Sequence, residues 1–283
     1  MSAAGRSTPA PFDAALVLTA ILLLLRPSGP FYVRFALLAL ATVALVAPAA
    51  RRDWLVWTAA AATVGVGIVA DWPLPDNHIY LLAYWCLAAS LALGSTEPDA
   101  VIARSARWLI GLAFLCAVLW KSVSADYLDG RFFTVTLLVD ERFADAVMLV
   151  SGMREVDLVS ARQALQALPH GAVLAEGPSL ALPSALRAMA ATLTWGGLAI
   201  EALVAGLFLW GGERLRRVRL WALLSFCVAT YALAPVTGFG CLLLAMGLVA
   251  CRPDERGLYA AFVASFVLVL FYTEVPWAGL IRP

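Results

Sequence analysis

Lys121 is the only lysine in the chain; the other nineteen of its 20 basic residues are arginine. It stands in LWKSVSADYLDGRFF (119–133), where the apolar run RWLIGLAFLCAVLW gives way to a turn. A guanidinium cannot release its proton in a protein, whereas a lysine in poorly hydrated surroundings can act as a general base. The plainer alternative is snorkelling, in which the stem stays in hydrocarbon while the ammonium reaches water. A second ionisable group, Glu201, lies within TLTWGGLAIEALVAGLFLW. About twelve residues from the end of its run, at 1.5 Å per residue, it is expected roughly 18 Å deep, where a carboxyl is costly and suggests function. Its plainer role is a protonated acid hydrogen-bonded to Ser225, Cys227, Thr230 or Tyr231 of the next segment.

Around the end of the Lys121 segment the sequence offers Asp71, Asp76, His78, Asp126, Asp129 and Glu274, with Trp72, Tyr127 and Trp277 as interfacial aromatics. A lysine beside acids and one histidine could transfer protons, so Lys121 and His78 are the catalytic candidates. Any water-facing rim has the same composition. His78 and His170 are the only histidines and are not in ligand spacing, so no metal centre or haem is expected. Cys86, Cys116, Cys227, Cys241 and Cys251 all fall in apolar stretches without a CxxC pair and are expected as small core residues. No phosphate-cradling loop, GxSxG elbow or HExxH motif is present. A net charge of +1 without a basic, aromatic-laced patch argues against a nucleic-acid partner.

These residues need elements to position them. The chain of 283 residues is 63% hydrophobic and 14% charged, with a mean hydropathy of +0.87, more apolar surface than a soluble globule of this size can hide. The expected fold is all-α: a polytopic integral membrane bundle forming one domain over residues 1–283, with the lipid bilayer as its first partner. Apolar runs predict nine spans: Phe12–Leu25, Phe31–Ala47, Trp54–Ala70, His78–Leu93, Ala106–Lys121, Ala188–Trp210, Leu220–Ala234, Phe239–Ala250 and Leu258–Val275. If APVTGFG (Ala234–Gly240) is a kink rather than a turn, the number is eight. The N-terminal run reads as a first span rather than a cleaved signal.

Arginines orient the bundle. Placing the N-terminus, ARRD (Ala50–Asp53), Gly94–Arg107, GGERLRRVR (Gly211–Arg219) and CRPDER (Cys251–Arg256) on the cytoplasmic side gathers most short-loop arginines there, and the C-terminus falls outside. The long connection 122–187 is then an outer loop with eight carboxylates and five arginines. Within it, DERFADAVMLVSGM and DLVSARQALQAL have the spacing of amphipathic helices, and LPHGAVLAEGPSLALP (Leu168–Pro183) is turn-rich.

The helix ending in Lys121 followed by SADYLDG, the intramembrane Glu201, the basic turn ERLRRVR and then LLSFCVATYALAPVTGFGCLLLAMGL together resemble the vitamin K-dependent gamma-carboxylases and their bacterial relatives with the horizontally transferred transmembrane (HTTM) domain. The likeness covers about Trp108–Ala250. It implies a bacterial inner-membrane protein in which Lys121 is the base that deprotonates a reduced quinone-like lipid at the outer leaflet. The spacing from Lys121 to Tyr127 and Gly130 is one residue longer than the family's, and an alignment anchored on Gly130 places Ser122 at the lysine position. A Phe226-Cys227 pair stands where the family carries phenylalanine-histidine. The large soluble domain of the animal enzymes has no counterpart after the last span, so carboxylation itself is not expected.

Three functions remain open at this level. One is an enzyme acting on a quinone-like lipid through Lys121. Another is a non-catalytic scaffold docking a protein partner through the outer loop. The third is a small-molecule transporter built on Glu201 and the interrupted APVTGFG segment.

Overall fold

The computed structural model of the protein describes residues 10–73, 75–167, 182–233, 236–252 and 254–271, and all regular structure among them is helical. In chain order the helices are α1 (Pro11–Leu25), α2 (Phe31–Val46), α3 (Pro48–Arg51), α4 (Trp54–Ala70) and α5 (Asn77–Leu93). The long α6 (Pro98–Val123) leads into α7 (Ala125–Leu128), α8 (Arg131–Val139), α9 (Ala144–Ser151) and α10 (Glu155–Gln166). A second long helix, α11 (Ser184–Leu209), precedes α12 (Arg216–Leu233), α13 (Thr237–Leu248) and α14 (Arg256–Phe271).

Local chemistry sets several of these boundaries. Proline opens α1 and α3, where a missing N–H costs nothing. The Asp53 carboxylate caps α4 by accepting from the Leu55 N–H at 2.9 Å. Ser124 caps α7, and Gly130, at φ +81°, makes the left-handed turn between α7 and α8.

Among the described residues each of the nine apolar segments read from the sequence overlaps one of these helices, although α6 starts eight residues before the expected Ala106 and α11 four before Ala188. Among the described residues only α6 and α11, at 26 residues each, are long and apolar enough to cross a membrane; the apolar helices α1, α2, α4, α5, α13 and α14 have 12 to 17 residues. APVTGFG is not a kink in one helix. Tyr231 of α12 lies against Gly240 of α13, and Leu223 lies against Gly247, so the chain reverses and the two helices run side by side. The two expected outer-loop helices are present as α9 and α10, preceded by α7 and α8, which the apolar spacing did not reveal. Residues 168–181, with His170, lie outside the described residues, as do Ala234, Pro235, Glu274 and Trp277.

The described chain divides into two compact units, residues 10–113 with 204–271, and residues 114–203. In the first unit α13 is the core. Every residue from Gly240 to Leu248 is buried, and α1, α5, α12 and α14 pack around it. Inter-helix hydrogen bonds tie α5 to its neighbours: the Trp85 indole donates to Thr19 Oγ1 at 2.9 Å, and Ser90 and Thr58 hydroxyls are 2.6 Å apart. Glycine lets α12, α13 and α14 approach, because a Cβ on Gly247 would lie 2.4 Å from Phe262 Cε1 and 2.9 Å from Leu223 Cδ2. Phe262 is itself fully buried and has no room to turn away. Gly247→Ala is therefore expected to destabilise by about 1–3 kcal/mol through overpacking, read as a lower thermal midpoint in detergent. Gly257→Ala, whose Cβ meets nothing within 4 Å, is its control.

The ends of the first unit differ in charge. At one, Arg51 and Arg52 hold Asp13, and Tyr259 at the start of α14 lies within electrostatic reach of the same carboxylate. The same end holds Arg107, which donates to the carbonyls of Phe208, Leu209 and Gly211, together with Arg216, Arg217 and Arg219 and their acidic partners. The other end carries Ser28, Gly29, Asp71, Asp76 and His78, with Gly238 against the imidazole and Arg34 donating to the Gly29 carbonyl. The described arginines of ARRD and GGERLRRVR, with Arg107, thus lie toward one end of this unit, while residues 1–9 lie outside the described residues.

In the second unit α8 contacts α7, α9 and α10. Arg162 of α10 donates to the Leu138 carbonyl and pairs with Glu141 at 3.2 Å, joining α10 to the end of α8. Of the cysteines expected in the core, Cys86, Cys227, Cys241 and Cys251 are buried, but Cys116 is exposed on α6. A helix that is apolar all round does not reveal by hydropathy which of its faces is packed and which is exposed.

Candidate functional site

The second unit brings together two residues 80 positions apart in sequence. Lys121 lies in the last turn of α6 and Glu201 in the second half of α11. Its Nζ donates to both carboxylate oxygens of Glu201, at 2.6 and 2.7 Å, and the side chains are 25% and 13% exposed. Two short bonds to one ammonium make a charge-assisted pair, stronger than neutral hydrogen bonds and sheltered from bulk water.

Tyr127 completes the arrangement. Ser124 starts α7 and places the tyrosine one turn past the end of α6. Its ring centroid lies 5.2 Å from Lys121 Nζ, within cation–π range, and its hydroxyl donates to the Thr194 carbonyl of α11 at 3.3 Å. Gly130 then turns the chain so that Phe132 and Phe133 pack on the same ring, with centroids 5.7 and 5.6 Å away. Burial and the Glu201 charge push the Tyr127 phenol up to about 12, so it remains a donor at neutral pH.

One polar atom beside this cluster is unmatched. Thr194 is fully buried and its Oγ1 has no hydrogen-bond partner among the described residues. A buried unpaired hydroxyl costs stability, while an isosteric apolar replacement does not. Thr194→Val should leave the thermal midpoint unchanged or raise it, whereas Thr194→Ala should lower it by opening a small void. A fall of similar size in both variants would show that the hydroxyl is paired.

This geometry revises several expectations. Glu201 was expected to find its partner among Ser225, Cys227, Thr230 and Tyr231; its partner is Lys121. The two cannot lie at depths about 18 Å apart, because a side-chain contact joins them. Tyr127, expected as an interfacial aromatic, is 4% exposed and packed against the lysine. Asp126 and Asp129 do not supply the lysine with acid. Arg131 takes both, at 3.4 and 2.5 Å, and the exposed Asp129 carboxyl is lowered by the Arg131 backbone N–H and guanidinium. Cys227 is fully buried, and Tyr231 is 2% exposed beside Gly240 and Phe226.

His78 and Asp71 belong to the first unit. With Ser28, Gly29, Val33, Trp72 and Asp76 they line a half-open pocket of about 540 Å³. His78 Nδ1 lies 3.9 Å from Asp76 Oδ2, an ion-pair distance rather than a hydrogen bond. Gly238 abuts the other edge of the ring, where a Cβ would fall 2.7 Å from Nε2. Among the described residues no group of three His, Cys, Asp or Glu side chains converges as metal ligands would.

Sequence reasoning missed Thr194, Phe132 and Phe133, and it missed the pairing rather than the members of the pair. A usable signal was present: one lysine and one carboxylate, each within or at the end of the two longest apolar helices, are natural partners where unpaired charge is expensive. Compared with protein-family models, with curated proteins and with solved structures, the chain matches none.

Proposed function

We propose that the chain is a polytopic inner-membrane protein of about nine spans, with its arginine-rich end in the cytoplasm, and that Lys121, Glu201 and Tyr127 form a membrane-sheltered proton-transfer site for a quinone-like lipid. The observation that carries this reading is the two-pronged contact of Lys121 Nζ with Glu201. An acid and a base held at 2.6 Å form a couple through which a proton can pass without entering bulk water. For Lys121 to act as base, its ammonium proton first crosses to the Glu201 carboxylate, leaving an amine and a neutral carboxylic acid. The amine then accepts the hydroxyl proton of the lipid, and the resulting ammonium stabilises the oxyanion beside it. Tyr127 and its phenylalanines keep water from the amine and hold it over the ring.

The lipid class comes from the resemblance of LWKSVSADYLDG to the gamma-carboxylase and HTTM segment, and the sidedness from the arginine bias. The shorter helices fit the reading if they cross within a locally thinned or well-packed bundle, since α6 and α11 alone have full spanning length. The test uses purified protein in lipid nanodiscs with a reduced short-chain quinone. Wild type should show quinol-dependent oxygen uptake that Lys121→Arg and Glu201→Gln abolish while remaining folded. Uptake unchanged in Lys121→Arg eliminates the role of the amine, and none in wild type rejects the quinol.

A scaffold reading is favoured by a separate feature. Leu149 and Val150 of α9 and Val156 and Val159 of α10 are exposed, 39–62%, on helices that also carry charge. A protein partner docking there should be lost when these four residues become serine, with oxygen uptake retained.

A further inference from the structure

The arginines at the charged end of the first unit divide into two sets. Arg216 and Arg219 point inward and are 7% and 4% exposed. Arg216 binds Glu255 through both terminal nitrogens at 2.7 Å and also donates to the Ala250 carbonyl; Arg219 reaches the Gly211 carbonyl and Glu213. These contacts tie the starts of α12 and α14 together. Arg214 and Arg217 are instead exposed, as are Leu215, Val218 and Trp221, with Arg217 Nε donating to Glu255 at 2.7 Å.

Positions 214, 217, 218 and 221 are spaced as neighbours on one helical face, across the short 3-10 turn Glu213–Leu215 and the start of α12. Trp210, 74% exposed, follows α11 four residues before Arg214 in the chain. Basic heads next to exposed tryptophan and aliphatic residues are the arrangement that meets the headgroup layer of a bilayer.

The charge balance identifies what the heads meet. From Glu213 to Arg256 there are six arginines (214, 216, 217, 219, 252 and 256) and three carboxylates (213, 254 and 255). Glu255 is committed to Arg216, Arg217 and the Arg252 N–H, and Glu213 to Arg219, with Arg252 at 3.9 Å. Arg214 has no ion pair among the described residues, and Arg217 shares its one carboxylate with Arg216 while 70% exposed. The surplus is cationic and outward.

We propose that Arg214 and Arg217, with the exposed Trp210 and Trp221 close to them in the chain, form a binding site for the phosphate headgroup of an anionic phospholipid of the cytoplasmic leaflet. The inference rests on the membrane reading above and is independent of the chemistry at Lys121. Guanidinium forks suit phosphate oxygens, and the indoles suit the glycerol and upper acyl region.

The test is native mass spectrometry of detergent-solubilised protein titrated with phosphatidylglycerol or with phosphatidylcholine of the same chains. Wild type should prefer phosphatidylglycerol. Arg214→Gln and Arg217→Gln should each weaken that binding about 5-fold, and roughly 25-fold together, with phosphatidylcholine binding unchanged. Arg187→Gln, an exposed arginine of the second unit, makes the same charge change and should have no effect. Equal affinity for the two lipids, or the same loss in Arg187→Gln, overturns the site and leaves the membrane reading standing. A protein that stays monodisperse without detergent overturns both.

Discussion

Lys121→Met should lower stability by about 2–4 kcal/mol, and Lys121→Met/Glu201→Leu should recover most of that loss. The asymmetry comes from what each change leaves behind. The single substitution strands a carboxylate that is 13% exposed and loses two bonds of 2.6 and 2.7 Å. The double substitution leaves two apolar side chains at the same contact, and neither pays a desolvation cost. The lysine is 25% exposed, so its head keeps some contact with the surroundings, and the expected loss lies toward the low end of that for a fully buried pair. Thermal or denaturant unfolding of the four variants of the double-mutant cycle measures the coupling, expected at about 2 kcal/mol. Additive single-mutant effects would mean that the pair contributes no joint term. The double variant also separates structure from chemistry: stable, correctly folded, and without proton transfer on the proposed mechanism.

That pair also shows what the sequence could and could not carry. Apolar run length is a one-dimensional property, and the segment from Trp54 to Ala70 was legible to the residue as α4. The Asp53 cap, the proline starts and the arginine grouping are equally local. Lys121 and Glu201 stood out because an arginine-only composition and an apolar run each make one residue conspicuous. Their meeting is a tertiary fact. Depth along a helix was reckoned from the ends of apolar runs, but α6 begins at Pro98, eight residues before the expected start at Ala106, and runs on past Lys121 to Val123. A helix continuing beyond its apolar core moves every depth estimate that depends on its end. The burial of Tyr127 was equally illegible. An aromatic beside a membrane boundary is usually amphipathic and wet, but Gly130 folds α8 back so that Phe132 and Phe133 cover it. The α12–α13 reversal depended on glycines opposite bulky side chains, Gly240 with Tyr231 and Gly247 with Leu223 and Phe262, a complementarity visible only once the partners are known.

Glu255 should dominate the acid sensitivity of the charged end. Its carboxyl is held down to about 2, from an ordinary 4.5, by the Arg216 guanidinium first, then by the Arg252 N–H and Arg217, against the opposing effect of burial. A carboxyl whose folded value is depressed contributes stability that is complete above its unfolded value and is lost as the pH falls through the folded one. The contribution, about 3 kcal/mol for a depression of this size, is therefore full at pH 7, begins to decline below about pH 4.5 and is gone near pH 2. Asp140 and Asp157 are depressed as well by their arginines, so the wild-type curve alone mixes several groups. The clean quantity is the difference in stability between wild type and Glu255→Gln. It should be largest at pH 7, where the amide leaves Arg216 buried without its counter-charge, and should shrink steadily between pH 4.5 and pH 3. A gap that stays constant over that interval would mean the carboxylate is not what Arg216 holds. A complementary change, Arg216→Met, leaves Glu255 with Arg217 and one backbone N–H, so acid sensitivity should move to higher pH than in wild type. The two variants thus shift the acid limb in distinguishable ways: one abolishes the contribution of Glu255, and the other moves its titration upward, because the guanidinium that contributes most to the depression has been removed.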